Sequence, residues 1–170
     1  MTLTEPITIH HPVVVHRDEG HHHHFFNHLG TVKVASGEAP SGLTAVEFVG
    51  PRDFGAPLHL HREEDEMFYV VEGEVAYTAG EEEHLVGPGG VVMIPAGTPH
   101  TFQILSEEAR LFTITAGSSL EPAFDVFVKE MGEELDEPVI PAPIDIDPGH
   151  VAMMCDAHGM DVLGPPPSPR

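Results

Sequence analysis

The stretch PLHLHREEDEMFYVVEG, Pro57 to Gly73, carries two histidines one residue apart, then a run of acids, then an apolar piece ending in glycine. Residues two apart on a strand share a face, so His59 and His61 project together with Leu60 behind them. Glu66 opens the next strand with Phe68 and Val70 on its face, and Tyr69 takes the opposite one. Four residues separate His61 from Glu66, a tight connection that turns the carboxylate back towards the imidazoles. Downstream, PAGTPHTFQI (Pro95 to Ile104) supplies a third imidazole. There Pro95, Gly97 and Pro99 shape a turn, and His100 opens a strand whose same-face partners are Phe102 and Ile104. Three imidazoles and one carboxylate converging at one end of a small barrel make an N3O donor set, which suits a divalent transition ion.

On both sides of this stretch, from Leu29 to Ala116, short β-rich pieces (TVKVA, LTAVEFVG, MFYVV, VAYTA, VVMIP, HTFQIL, RLFTITA) alternate with Gly, Pro and acidic turns. Their spacing predicts an antiparallel sandwich or barrel. EGE at 72–74 and AGEEEH at 79–84 read as hairpin turns, the second with His84 at the surface. GPGG at 87–90 reads as a turn, because no strand–loop–helix context makes it a phosphate cradle. After Ala116 the period changes. Phe124, Phe127, Val128 and Met131 fall at i, i+3, i+4 and i+7, one apolar stripe of a helix with acids on the other face. EPVIPAPIDID is too rich in proline for a helix and reads as an extended strap. DPGHVAMMCDAHGM predicts a second helix with Asp147 as N-cap, Pro148 at its first position and Gly159 as its stop. LGPPPSPR reads as a stiff tail. The expected layout is an N-terminal arm (1–28), an all-β barrel (29–117), and helices with a Pro-rich tail packed on the barrel (118–170).

The chain has 170 residues, enough for one domain with appendages. Its 28 acids against 7 Lys and Arg give a formal charge of −21, which disfavours nucleic acid and anionic membrane as partners. No apolar run approaches the length of a membrane span. The N-terminus lacks a basic region followed by a long apolar one, so a cytoplasmic protein is expected. Cys155 is a lone cysteine in an apolar run, which excludes an intramolecular disulfide and reads as a small packed hydrophobe. Of the other histidines, His10, His11 and His16 lie in the arm. His21–His24 read as a solvated loop entering the first barrel strand. His150 and His158 read as surface or capping residues of the last helix. The arm segment ITIHHPVVVH is suited to adding a strand to a partner, which points to a homodimer.

From His59 onward the pattern H-x-H, four residues, E, six residues, G (His59, His61, Glu66, Gly73) resembles the first motif of the cupin superfamily. Asp53 stands where that motif has its leading glycine, and Gly55 follows two residues later. Gly89, Pro95, Gly97 and His100 match the second motif, with Ile104 in place of its final asparagine. The motifs cover residues 55–104, and the strand pattern extends the likeness to about 29–116. The resemblance implies a cupin double-stranded β-helix, a jelly-roll barrel with C-terminal helical segments. It also implies one divalent transition metal per chain, Fe, Mn, Ni or Co with Zn as a further option, on His59, His61, Glu66 and His100. HREEDEMFYVVEGE, VMIPAGTPHTF, TAGSSLEPAFDVFVKEMGEEL and HGMDVLGPPP are similar to bacterial quercetinase-type monocupins. That likeness implies a dioxygenase that takes a flavonol-like aromatic or polyketide substrate and O2, opening the ring with loss of carbon monoxide. Glu66 would serve as both ligand and base. Phe48, Phe68, Val70, Phe102 and Ile104 would line the pocket, an apolar surface suited to a flat aromatic. Two alternatives stand beside it. One is a non-oxidative metal-dependent isomerase, cyclase or lyase, for which Tyr69 or Tyr77 would be the extra base. The other is a non-catalytic small-molecule-binding cupin.

Overall fold

Burial alternates with period two along Glu64–Glu72: Glu64, Glu66, Phe68 and Val70 are buried, while Asp65 and Tyr69 face solvent. A strand with one face in a core and one in water has this pattern. The computed structural model describes residues 11–117, 122–140 and 142–170. Its strands are β1 (His21–Phe25), β2 (His28–Val34), β3 (Thr44–Pro51), β4 (Leu58–His61), β5 (Glu64–Glu72), β6 (Val75–Ala79), β7 (Glu82–Val86), β8 (Val91–Ile94), β9 (His100–Ile104), β10 (Glu108–Gly117), β11 (Glu133–Leu135) and β12 (Met160–Gly164). They form a seven-stranded sheet in the order β11-β1-β2-β3-β10-β5-β8 and a five-stranded sheet in the order β12-β4-β9-β6-β7. The ladders are antiparallel, as the strand spacing predicts. Phe48, Phe68, Val70, Phe102, Ile104 and Leu111 fill the space between the sheets. Burial of each such side chain contributes roughly 1.5–3 kcal/mol.

Two helices close the fold. In α1 (Phe124–Met131), Phe124, Phe127 and Val128 join the core. Asp125 is also buried, against the expectation of acids on the outer face. It accepts from Ser36 N at 3.2 Å and pairs with Lys129 Nζ at 2.8 Å. In α2 (Pro148–Ala157), Asp147 caps the start by accepting from Gly149 N, Pro148 is the first residue, and Gly159 at φ 74° ends the turn that follows. Cys155 is buried on α2. His158 is buried as its C-cap and His150 is exposed. No helix among the described residues is long and apolar enough to cross a membrane.

The structure corrects several expectations. His21–His24 are not a solvated loop but most of β1, flanked by β2 and β11, with His22 and His23 buried. His84 lies on β7 opposite Tyr77 rather than in a turn, although it is exposed as expected. β5 begins at Glu64, so only Arg62 and Glu63 link it to β4. A single 3-10 turn at Ser36–Glu38 precedes the expected helical region. The C-terminal stretch is not only a tail: β12 pairs with β4, Met160 opposite His61 and Val162 opposite His59. His10 and the first residues of the arm lie outside the described residues, and His11–His16 form no strand within the chain.

Candidate metal centre

β4 and β9 pair at His59 and His100, which sets these imidazoles side by side with ring centroids 4.3 Å apart. His61 follows two residues along β4 on the same face, and its ring lies 5.3 Å from that of His59. Glu66 arrives from the other sheet, on β5, between Thr115 of β10 and Ile94 of β8. The turn before His100 is tied to β4 by Gly97, whose N–H donates to His61 O at 2.7 Å from a backbone with φ 76°. A residue with a Cβ would pay roughly 1–2 kcal/mol for that conformation. Asp53 takes the same left-handed region, φ 65°, where the motif has its leading glycine. Aspartate is among the residues that tolerate it, so the turn survives the departure.

One ligand atom from each of His59, His61, Glu66 and His100 lies within 4.8 Å of the others, so the cluster could hold a metal ion. Glu66 Oε2 is 2.9 Å from His100 Nε2 and 3.4 Å from His61 Nε2. The outer nitrogens are occupied. His59 Nδ1 donates to Pro57 O at 2.8 Å and His100 Nδ1 to Thr98 O at 2.9 Å. His61 Nδ1 lies 3.3 Å from Glu64 Oε2. Carbonyl and carboxylate oxygens accept, so the proton of each neutral ring sits on Nδ1 and the Nε2 lone pair turns to the centre. His61 Nε2 is buried without a hydrogen-bond partner. An orphaned buried nitrogen in an N3O set is what a divalent transition ion would satisfy, so the residues fit the metal that the fold implies.

Burial pushes His59 down to about 3, with His100 and His61 adding to it. Burial also opposes the charged form of His61, but the Glu66 and Glu64 carboxylates outweigh it and raise this imidazole to about 9. Burial would raise Glu66, yet His61 and His100 hold it well below the usual carboxylate range. The centre is therefore a compact set of mutually stabilised charges, from which a cation would displace protons.

Glu64 is the residue that sequence reasoning missed. Its Oε2 faces His61, and its Oε1 accepts from Thr115 Oγ1 and from Phe124 N, both at 3.4 Å. One buried carboxylate thus links a donor imidazole to the first residue of α1, whose Phe124 ring lies 5.7 Å from His61. The signal was present, since Glu64 has the same strand parity as Glu66. Phe48, Phe68, Val70, Phe102 and Ile104 are all buried in one apolar cluster with Tyr77. Tyr69 points outward and is 41% exposed, which removes it from the site. Among the described residues, His21–His24, His84, His150 and His158 join no group of metal-ligating spacing.

Residues 45–115 match the family described as cupin domain. Over 116 residues the chain is 28% identical to the quercetin 2,3-dioxygenase of Bacillus subtilis (strain 168), an overlap of 68% of this chain and 34% of that protein. Over 51 residues it is 41% identical to an uncharacterised protein of Streptomyces coelicolor, covering 30% of this chain and 49% of that one. The chain therefore spans about a third to a half of the length of these curated relatives. Among solved structures, KdgF from Halomonas sp. is similar at TM-score 0.50 and 20% identity, over 55% of this chain and 82% of that chain, a likeness of fold. The chain thus carries a cupin domain over residues 45–115, set in its two antiparallel sheets and holding the His3Glu cluster.

Proposed function

We propose that the chain is a metal-dependent dioxygenase that opens the heterocycle of a flavonol-like aromatic substrate. The observation that carries this reading is the buried His3Glu cluster beside an aromatic layer of Phe68, Tyr77 and Phe102, whose centroids are 5.1 to 6.0 Å apart. The stretch shared with the Bacillus quercetin 2,3-dioxygenase supports the substrate class.

In this reading His59, His61, Glu66 and His100 hold one divalent transition ion of the Fe, Mn, Ni, Co or Zn type. Once bound, it supplies Lewis acidity that lowers the pKa of a substrate hydroxyl and leaves a position open. Glu66 takes the 3-hydroxyl proton of the substrate. A hydroxyl acidified in that way is within the reach of a carboxylate base. Phe48, Phe68, Val70, Phe102 and Ile104 keep water from the path and offer a flat apolar surface. The reaction balances without an outside reductant, because both oxygen atoms of O2 enter the products and one ring carbon leaves as carbon monoxide.

The test begins with metal analysis of protein purified without a metal column, followed by an oxygen-electrode screen of flavonols. One ion per chain and oxygen uptake matched by carbon monoxide are expected. Conversion without oxygen uptake would replace this reading with a lyase or isomerase, and ligand binding without turnover would replace it with a binding protein.

A further inference from the structure

Two buried hydroxyl groups next to the His3Glu cluster have no hydrogen-bond partner: Tyr77 Oη on β6 and Thr113 Oγ1 on β10. The residues are 1% and 0% exposed. The ladders put them in one layer. On the five-stranded sheet Ala79 pairs with His100 and Tyr77 with Phe102, so Tyr77 lies one inward-facing position deeper than the donor row. On the seven-stranded sheet Thr115 pairs with Glu66 and Thr113 with Phe68, so Thr113 is one position deeper as well. Phe68 bridges the two, being the ladder partner of Thr113 with its ring centroid 5.1 Å from that of Tyr77. The neighbouring Thr115 shows the contrast. Its hydroxyl meets Thr44 Oγ1 at 2.7 Å and Glu64 at 3.4 Å.

The rest of this layer, Val46, Phe68 and Phe102, is apolar. A buried hydroxyl left unpaired destabilises the fold, and Phe or Val would fill the same space without that cost. Two such groups at one level, beside a donor cluster, are a local conflict that a bound ligand would resolve.

We propose that Tyr77 and Thr113 are the substrate-reading hydroxyls of this centre: they bind an oxygen substituent on the ring system away from the metal-bound end, and so select hydroxylated over unsubstituted aromatic substrates. The inference rests on the flavonol reading and sharpens it to a substrate class. Tyr77 acts as a donor, since burial and the nearby Glu66 charge push its pKa far above the ordinary phenol value and it keeps its proton. Thr113 donates or accepts. No bond forms or breaks at either group.

The experiment uses Tyr77→Phe, Thr113→Val and the double variant, each with its metal content measured. Two probes are titrated without oxygen and followed by absorbance. One is 3-hydroxyflavone, which offers the hydroxy-ketone alone; the other is quercetin, which adds hydroxyls on the outer rings. The wild-type protein should prefer quercetin, and each substitution should cut that preference by about tenfold, the worth of one hydrogen bond to a buried group. Affinity for 3-hydroxyflavone and metal content should hold. The thermal midpoint of the ligand-free variants should rise, because an unsatisfied hydroxyl has gone. An unchanged preference in the double variant overturns the inference. A lowered midpoint does so too, since it would mean that the hydroxyls are satisfied within the free protein. If neither probe binds the wild-type protein, the flavonol reading itself fails, an outcome distinct from a bound probe with no preference.

Discussion

Compare His59, His61 and His100 with the run His21–His24. The first three come from two paired strands and turn Nε2 inward, each with its Nδ1 engaged by Pro57 O, Glu64 or Thr98 O. The run occupies one strand, so its side chains alternate between faces. His22 finds Thr31 Oγ1 at 3.0 Å, but His23 has neither nitrogen paired. Burial lowers His23, and the opposing pull of the Glu134 carboxylate does not offset it. Four adjacent histidines thus make part of a sheet, and three dispersed ones make a donor set. Convergence across strands and anchoring of the outer nitrogen separate the two, not local density.

The largest expected effects break this comparison at its stronger end. Glu66→Gln should keep much of the metal yet lose turnover on the order of 10²- to 10⁴-fold, the worth of a general base. His61→Ala should lose metal and turnover together. Metal content measured beside the oxygen-uptake rate decides both. A metal-loaded Glu66→Gln protein with near-normal flavonol oxygenation would refute the base assignment.

Next comes the anchoring itself. Glu64→Gln keeps the size of the side chain but removes the charge that holds His61 Nδ1 and receives the α1 backbone. Outer groups of this kind are worth about 10–100-fold in metal affinity. Competition with a chelator should show that loss, with the rate per bound ion nearly retained at saturating metal. Unchanged affinity would mean that the carboxylate serves α1 alone.

The donor set was legible because spacing encodes it: H-x-H fixes two imidazoles on one face, and the Pro-x-Gly turn delivers His100 to the pairing position opposite His59. Strand parity likewise separated Glu66, Phe68 and Val70 from Tyr69. β1 was illegible because four identical polar residues show no alternation, and its burial comes from β2 and β11. β12 is only five residues after a helix stop, and its meaning lies in pairing with β4. Asp53 looked like a defect in the motif until its φ showed that it supplies the same turn.

His61 and the buried neutral histidines should also respond to pH with opposite sign in metal-free protein. His61 is raised from 6.5 to about 9, so its stabilisation is complete below 6.5 and is lost as pH rises through about 9. His28, held at about 3 by burial, and His23, lowered by burial, are neutral in the fold. The unfolded chain takes up their protons below 6.5, so that contribution is lost on acidification. His59 and Glu66 act in the same direction on the acid side. Denaturant titrations should therefore place the stability maximum of the metal-free protein at about pH 6 to 7. Metal affinity should instead keep rising towards pH 9, because the ion competes with the proton on His61. A maximum above pH 9 would remove His61 from this account.

The smallest effects lie within the run, where neighbours should differ in sign. His23→Leu replaces an imidazole with two unpaired buried nitrogens by an apolar side chain of similar size. Removing an unsatisfied group should stabilise by about 1 kcal/mol, or a rise of roughly 2–4 °C in Tm for a chain of this length. His22→Leu makes the same chemical change one residue away but leaves Thr31 Oγ1 without its partner in a buried strand. That should cost about as much as the first change gains. Thermal unfolding at pH 7 reads both, since neutral imidazoles prevail there on His23. Neither substitution should alter the one ion per chain, because neither residue reaches the donor set. Equal shifts of the same sign would mean that the Thr31 contact carries no weight, and loss of the ion in either variant would return the run to the metal site.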